Sequence, residues 1–156
     1  MDKISRPTTA EMRLFGDALW SELVKWYAEY KSEYSGKTDG PLNSHHIFGK
    51  PTLAHRYSLA NGVCLTAGEH KFIAHNPDRK AVWDEFLEKL FGGIGNLNEY
   101  IQLLRDIHGT NISSYIFFLV KVYAACEGIR EFRSLPIWKH KKKPLETVIK
   151  YFEFEI

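Results

Sequence analysis

Cysteine is scarce in this chain: Cys64 and Cys126 are the only two among 156 residues, far apart and each inside a short apolar stretch. That excludes a disulfide framework and leaves two small buried side chains suited to a reducing compartment. Long apolar runs are lacking too. The most apolar stretch, Tyr115 to Cys126, is shorter than a bilayer span and carries Lys121 near its middle, so it reads as a buried helix. No basic start leads into an apolar signal stretch, since Met1 to Glu11 is polar; the cytoplasm is the expected compartment. Neither charge sign dominates: 21 Lys and Arg against 19 Asp and Glu leave a formal +2, compatible with a nucleic-acid partner without demanding one. Repeats and low-complexity segments are absent. With 44% hydrophobic residues the chain has the material of one globular domain, burying roughly two-thirds of its unfolded surface.

What is present sorts along the chain. Thr8-Thr9 with Glu11, then Met12, Phe15, Leu19, Leu23, Trp26, Tyr27 and Tyr30, predicts a long amphipathic helix within residues 1–40 whose aromatic stripe enters the core. The turn formers from Ser35 to Pro41 end that pattern. Ile47-Phe48 and Val63-Cys64-Leu65, separated by a polar stretch with Lys50-Pro51 and His55-Arg56-Tyr57, predict two short strands joined by an irregular connection. Thr66 and Glu69 have capping-box spacing, so a helix should start at about Ala67. Asn76-Pro77-Asp78 stops and restarts it. Val82, Trp83, Phe86, Leu87, Leu90 and Phe91 supply the next apolar face, closed by Gly92-Gly93. A further helix opens at Asn96 or Asn98 and ends at Gly109; another, capped by Ser113, runs to about Gly128. Leu145 to Ile156 is ambiguous between helix and strand. The expectation is an α+β, mostly helical fold in one domain over 1–156: an N-terminal helix in 1–40, a strand–strand–helix unit in 42–78 and a helical remainder in 79–156.

Chemistry concentrates in Leu42-Asn43-Ser44-His45-His46-Ile47-Phe48-Gly49, in Asn61 fifteen residues after His46, and in His70 nine residues after Asn61. Hydrolysing a phosphodiester asks for a metal ion at the phosphate and leaving oxygen, a base for water, and a group that holds the base. Neighbouring strand residues point to opposite faces, so His45 can face a metal while His46 faces water. His70 supplies a second imidazole from the helix, with water and phosphate oxygens completing the coordination. Histidine titrates near neutrality, which makes His46 available as a base, and Asn61 can bond across the loop to aim it. Lys50 and Arg56 in the loop, and Lys139, Lys141, Lys142 and Lys143 in the basic run between Pro136 and Pro144, are expected DNA phosphate contacts. The competing reading of that run is a solvated linker. His108 and His140 read as surface or satisfied core histidines, and Glu69 as the capping-box partner.

Ser44-His45-His46-Ile47, with Asn61-Gly62-Val63-Cys64-Leu65 and Glu69-His70, resembles the HNH endonucleases of the ββα-metal (His-Me finger) group, small phage members above all. The resemblance covers residues 42–78, about a quarter of the chain. It implies a ββα-metal hairpin-plus-helix unit and metal-dependent cleavage of DNA that leaves a 5'-phosphate and a 3'-hydroxyl. It implies His45 and His70 as ligands of one divalent ion (Mg²⁺ or Mn²⁺, with Zn²⁺ or Ni²⁺ as alternatives), His46 as general base and Asn61 as the structural asparagine. Two departures stand out. Many relatives brace the hairpin with paired Cys-x-x-Cys zinc motifs, whereas only Cys64 lies there. Some place a third histidine one turn beyond the helix ligand, whereas His75 follows His70 by five residues. On an ideal helix that is about 140° away, so His75 is a doubtful ligand that reaches the site if the helix frays before Pro77, or else contacts phosphate.

The leading expectation is therefore an endonuclease acting on duplex or branched DNA, with RNA the weaker substrate class, no membrane, and a host-cytoplasmic location for a phage-encoded chain. The alternative is a nucleic-acid-binding module whose histidines hold a structural zinc. His46 separates the two, because a structural site has no use for an unligated base beside a ligand.

Overall fold

Thr8 opens the first helix, α1 (Thr9–Tyr27), through a complete capping box: its hydroxyl accepts from the Glu11 amide at 3.2 Å and the Glu11 carboxylate accepts from the Thr8 amide at 2.9 Å. The computed structural model describes residues 6–91, 94–126, 148 and 150–152. Met12, Phe15, Leu19, Trp20, Leu23 and Val24 form the buried face of α1. The expected aromatic stripe is shorter than its spacing suggests. The helix stops at Tyr27, and Glu29 and Tyr30 take left-handed φ values of 57° and 55°. Tyr27 is thereby left 58% exposed and Tyr30 36% exposed, outside the core.

Two antiparallel strands follow, β1 (Leu42–His46) and β2 (Gly62–Thr66), paired from Leu42 with Thr66 to His46 with Gly62. The first strand ends before Ile47-Phe48, which instead begin the connection. That connection is ordered, not irregular: Thr52 caps a short helix, α2 (Leu53–Tyr57), and a single 3-10 turn spans Leu59–Asn61. Thr66 and Glu69 then make the expected capping box over α3 (Ala67–Glu69), which passes directly into a π-helical turn, His70–Ala74. Asn76 caps a 3-10 turn with Pro77 at its first position, and α4 (Lys80–Phe91) continues from it.

The last helices are shifted relative to their sequence signals. The helix α5 (Ile94–His108) begins before Asn96, and α6 (Ile112–Ala125) is capped by Asn111, not Ser113, and ends before Gly128. Asn111 accepts from the Ser114 amide, a side chain-to-backbone bond that Asn makes as readily as Ser, so spacing alone could not choose between them. Val148 and Lys150–Phe152 are helical. Gly92-Gly93, Gly128 and the basic residues Lys139, His140, Lys141, Lys142 and Lys143 lie outside the described residues. Among the described residues no helix is long and apolar enough to cross a membrane.

The hairpin lies between two cores, and strand alternation decides what goes to each. Ser44, His46, Gly62 and Cys64 face α1: the Ser44 hydroxyl donates to the Ser21 carbonyl at 2.7 Å, and Cys64 joins the main cluster of α1, α2, α5 and α6 with Leu19, Tyr57, Ile101, Ile116 and Leu119. Val63 and Leu65 face the other way, onto Trp83 and Leu87 of α4. Each fully buried Leu or Phe contributes about 1.5–3 kcal/mol, so the α1–α6 seam fixes the surface on which the hairpin rests.

Candidate metal centre and adjoining histidine

Three histidines converge on the α4-facing side of the hairpin. His45 sits on β1, His70 starts the π-helical turn and His75 follows it. His45 Nδ1 lies 3.1 Å from His70 Nε2, His70 Nε2 lies 3.0 Å from His75 Nε2, and the three nitrogens are all within 4.8 Å of one another. They are close enough to hold a metal ion. Two nitrogens bound at about 2.0–2.1 Å to a tetrahedral ion lie about 3.3 Å apart, so the donor set suits the spacing such an ion requires. The rings grade from buried (His45, 8% exposed) through half-buried (His70) to exposed (His75), which leaves the outer side accessible to water or a ligand oxygen.

His75 arrives by a route that the sequence does not announce. Its amide donates to the His70 carbonyl at 3.3 Å, a bond across five residues. The widened π turn carries residue i+5 back over residue i, so the 140° offset of a regular helix disappears and no fraying is needed. Such single π turns are rare and frequently occur at functional sites.

Burial and neighbouring charge favour the neutral rings of His45 and His70. Burial, and then the neighbouring charges of His70, His75 and His46, push the His45 pKa down to about 4. Burial followed by the charge of His75 lowers that of His70. Neutral imidazole is the ligating form. Asn43, two residues before His45 on the same strand face, places its amide nitrogen 3.2 Å from His70 Nδ1. An amide nitrogen only donates, so here Nδ1 accepts and the ring proton sits on Nε2; ligation through Nε2 calls for the amide turned over, with its oxygen accepting from Nδ1–H. Trp83 completes the floor, its ring edge-on to His45 at 5.5 Å.

The other face holds His46, and there nothing converges as a ligand set. Its ring stacks flat on Trp20, centroids 3.7 Å apart and planes 1° from parallel. Its Nε2 lies 2.9 Å from the Arg56 carbonyl. A carbonyl only accepts, so Nε2 carries the proton and Nδ1 keeps its lone pair. Burial lowers the pKa of His46, outweighing the hydrogen bond to Arg56, and favours the neutral ring. Trp20 is itself anchored, its indole N–H donating to the Ser58 carbonyl at 2.8 Å.

Asn61 is fully buried and stitches the connection together. Its carbonyl oxygen accepts from the Phe48 amide at 2.9 Å, while its amide group donates to the Gly49 carbonyl at 3.0 Å and the His55 carbonyl at 2.9 Å. Asn61 thus holds both ends of the segment that carries the Arg56 carbonyl. Gly62 is extended strand at φ −120°, and its missing side chain is needed. A Cβ there would collide with Val24 Cγ2 and lie 2.8 Å from Trp20 Cζ2, pushing apart the surfaces that seat His46.

The remaining expected residues fall as follows. Glu69 serves its capping box and also accepts from the Ser32 hydroxyl; burial alone would raise its pKa, but donors from Ser32, Ser35 and Thr66 lower it. Lys50 is exposed at the rim of the connection. Arg56 is not a free cation: its Nε and Nη2 bond the Asp17 carboxylate at 2.7 and 2.5 Å. Residues overlooked by spacing are Trp20, Asn43 and Asp17, each of which acts on a motif residue from a distant or unremarked position. For Asn43 a signal existed, since it shares a strand face with His45 by the alternation rule. Compared with known proteins, the chain matches no family model, no curated protein and no solved structure.

Proposed function

We propose that the protein is a metal-dependent endonuclease of the HNH type that hydrolyses DNA phosphodiester bonds, with β1, β2 and the helical turn after them as its ββα-metal unit. One observation carries this reading: on the strand residue after His45, turned to the other face from the three-histidine cluster, stands a fourth histidine outside the ligand set, with Nε2–H spent on the Arg56 carbonyl and Nδ1 without a hydrogen bond among the described residues. A structural zinc site gives no reason for that arrangement, whereas hydrolysis does.

His45, His70 and His75 would hold the ion. Three imidazoles with no carboxylate among them favour a transition ion such as Zn²⁺, Ni²⁺ or Mn²⁺ over Mg²⁺, which prefers oxygen donors. When bound, the ion neutralises phosphate charge and stabilises the departing oxygen. His46 Nδ1 accepts the proton of a water molecule whose oxygen attacks phosphorus. The bond to the 3'-oxygen breaks, and that oxygen leaves with a solvent proton as the 3'-hydroxyl. Trp20, the Arg56 carbonyl and Asn61 keep Nδ1 aimed throughout.

The test incubates supercoiled plasmid and a four-way junction with Mg²⁺, Mn²⁺, Zn²⁺ or chelator, comparing the wild type with His46→Ala. A general base contributes about 10²–10⁴-fold, so His46→Ala should lose that much rate with ion binding intact. Equal products from both proteins, or none with any ion, reject the reading. Loss of ion and fold together in His46→Ala supports the structural-zinc alternative instead.

A further inference from the structure

Three separate parts of the chain bring cations to one cleft. Arg13 of α1, Lys50 and Arg56 of the connection, and Arg105 of α5 line an opening of about 500 Å³, with Thr110 at its edge and no carboxylate among the described residues of its wall. Arg56 has a counter-charge, Asp17. Arg13, Lys50 and Arg105 are exposed and form no ion pair among the described residues. Unpaired like charges in a concave surface repel one another and weaken the fold, yet they focus a strong field on any anion that enters.

The cleft adjoins the proposed base through a single residue. The backbone carbonyl of Arg56 holds His46, and the side chain of the same residue lines the cleft. Asn61 pins Gly49, immediately before Lys50, to the same frame. An extended polyanion with one end at His46 would therefore run beside Arg56 into a cleft that Lys50, Arg13 and Arg105 also line. Small anions have no use for so many spaced donors, whereas a nucleic-acid strand carries a phosphate about every 3.4 Å of helix axis. Guanidinium groups and a threonine hydroxyl are usual partners of its non-bridging oxygens.

We propose that this cleft binds the phosphodiester backbone of the cleaved strand beside the scissile phosphate, with Arg13 and Arg105 as its outer contacts. It reads phosphate without reading bases, so it contributes affinity and register but no sequence preference. The words "cleaved strand" rest on the nuclease reading; binding of the backbone does not.

The experiment titrates a fluorescent DNA duplex into the full chain in chelator at several salt concentrations. It compares the wild type with Arg13→Ala, Arg105→Ala, the double variant, and Arg13→Lys with Arg105→Lys. Each alanine should weaken binding several-fold for unrelated sequences and flatten the slope of log affinity against log salt by about 0.9. The lysine variants should keep the slope. Calorimetric Zn²⁺ binding should match the wild type in all of them, which shows the histidine cluster and the fold intact. Unchanged affinity and slope in the double variant overturn the proposal. So does displacement of the duplex by inorganic phosphate at matched ionic strength, which would mark a free-anion site. DNA bound through the cleft by a chain that never cuts would reject the nuclease reading and keep the cleft; cutting with a KM untouched by the double variant would do the reverse.

Discussion

On one face of the β1–β2 hairpin, three imidazoles crowd together with nitrogens 3.0 and 3.1 Å apart, and Asn43 is the neighbour that orients one of them. On the other face a single imidazole is stacked on Trp20, bonded to Arg56 and framed by a fully buried asparagine. The first arrangement is made of groups that repel when protonated and becomes favourable once something positive replaces the protons. The second is complete in the protein alone. Two adjacent residues of one strand, His45 and His46, thus live under opposite rules, because strand geometry sends them to opposite faces and the two cores supply different neighbours.

The strongest blow to the self-sufficient face is Asn61→Ala. It removes the partner of the part-buried Phe48 amide and of the His55 and Gly49 carbonyls, the last of which water can reach, and a buried group left unpaired costs about 1–3 kcal/mol. A loss on the order of 3 kcal/mol is expected by chemical denaturation. A change below a tenth of that would show the connection to be held by packing instead.

The histidine cluster should respond to ions where the other face does not, while both faces lose stability in acid, because burial lowers the pKa of His45 and of His46 alike. At about 100 times its Kd a bound ion contributes about 2.7 kcal/mol, so Zn²⁺ should raise Tm in the wild type and in His46→Ala but not in His70→Ala. Without an ion, the depressed pKa of His45 means that the unfolded chain binds its proton first. That contribution to stability is full above an ordinary histidine pKa of 6.5 and is lost as the pH falls from 6.5 toward about 4. A His45→Asn variant should show a flatter acid limb in the same window; an identical limb would mean that other groups set it.

Gly62→Ala is expected to cost about 2 kcal/mol through overpacking against Val24 and Trp20. It should also slow cleavage more than it weakens ion binding, since it acts on the His46 side. Equal damage to both readouts would mean that the two faces are not separable. The smallest effect belongs to Asn43→Ala, which removes the group orienting His70: about tenfold weaker Zn²⁺ binding by calorimetry, with thermal stability of the ion-free protein nearly unchanged.

Much of the site was legible. Thr66 and Glu69 announce a helix start, Val63-Cys64-Leu65 marks the second strand, and alternation separates His45 from His46, whereas the first apolar run, Ile47-Phe48, falls just beyond β1. The order of the connection is not legible because α2 is only five residues long, too short to display a helical period. The spacing of the α1 stripe continues through Tyr27 and Tyr30 although the backbone turns left-handed at Glu29 and Tyr30. The pairing of Arg56 with Asp17 is not legible either, since Asp17 lies 39 residues earlier.

The sequence by itself determined which residues share a strand face, where α1 and α3 begin, and that histidines and an asparagine stand at spacings suited to one site. Those features depend on local hydrogen bonds and on the two-residue repeat of a strand. Only the tertiary structure decided that His75 joins His45 and His70, that Trp20 and the Arg56 carbonyl seat His46, and that Arg13 and Arg105 meet Lys50 across a cleft. A π turn has no local signature, and contacts between α1, the connection and α5 arise from how the cores pack, which no short window of residues encodes.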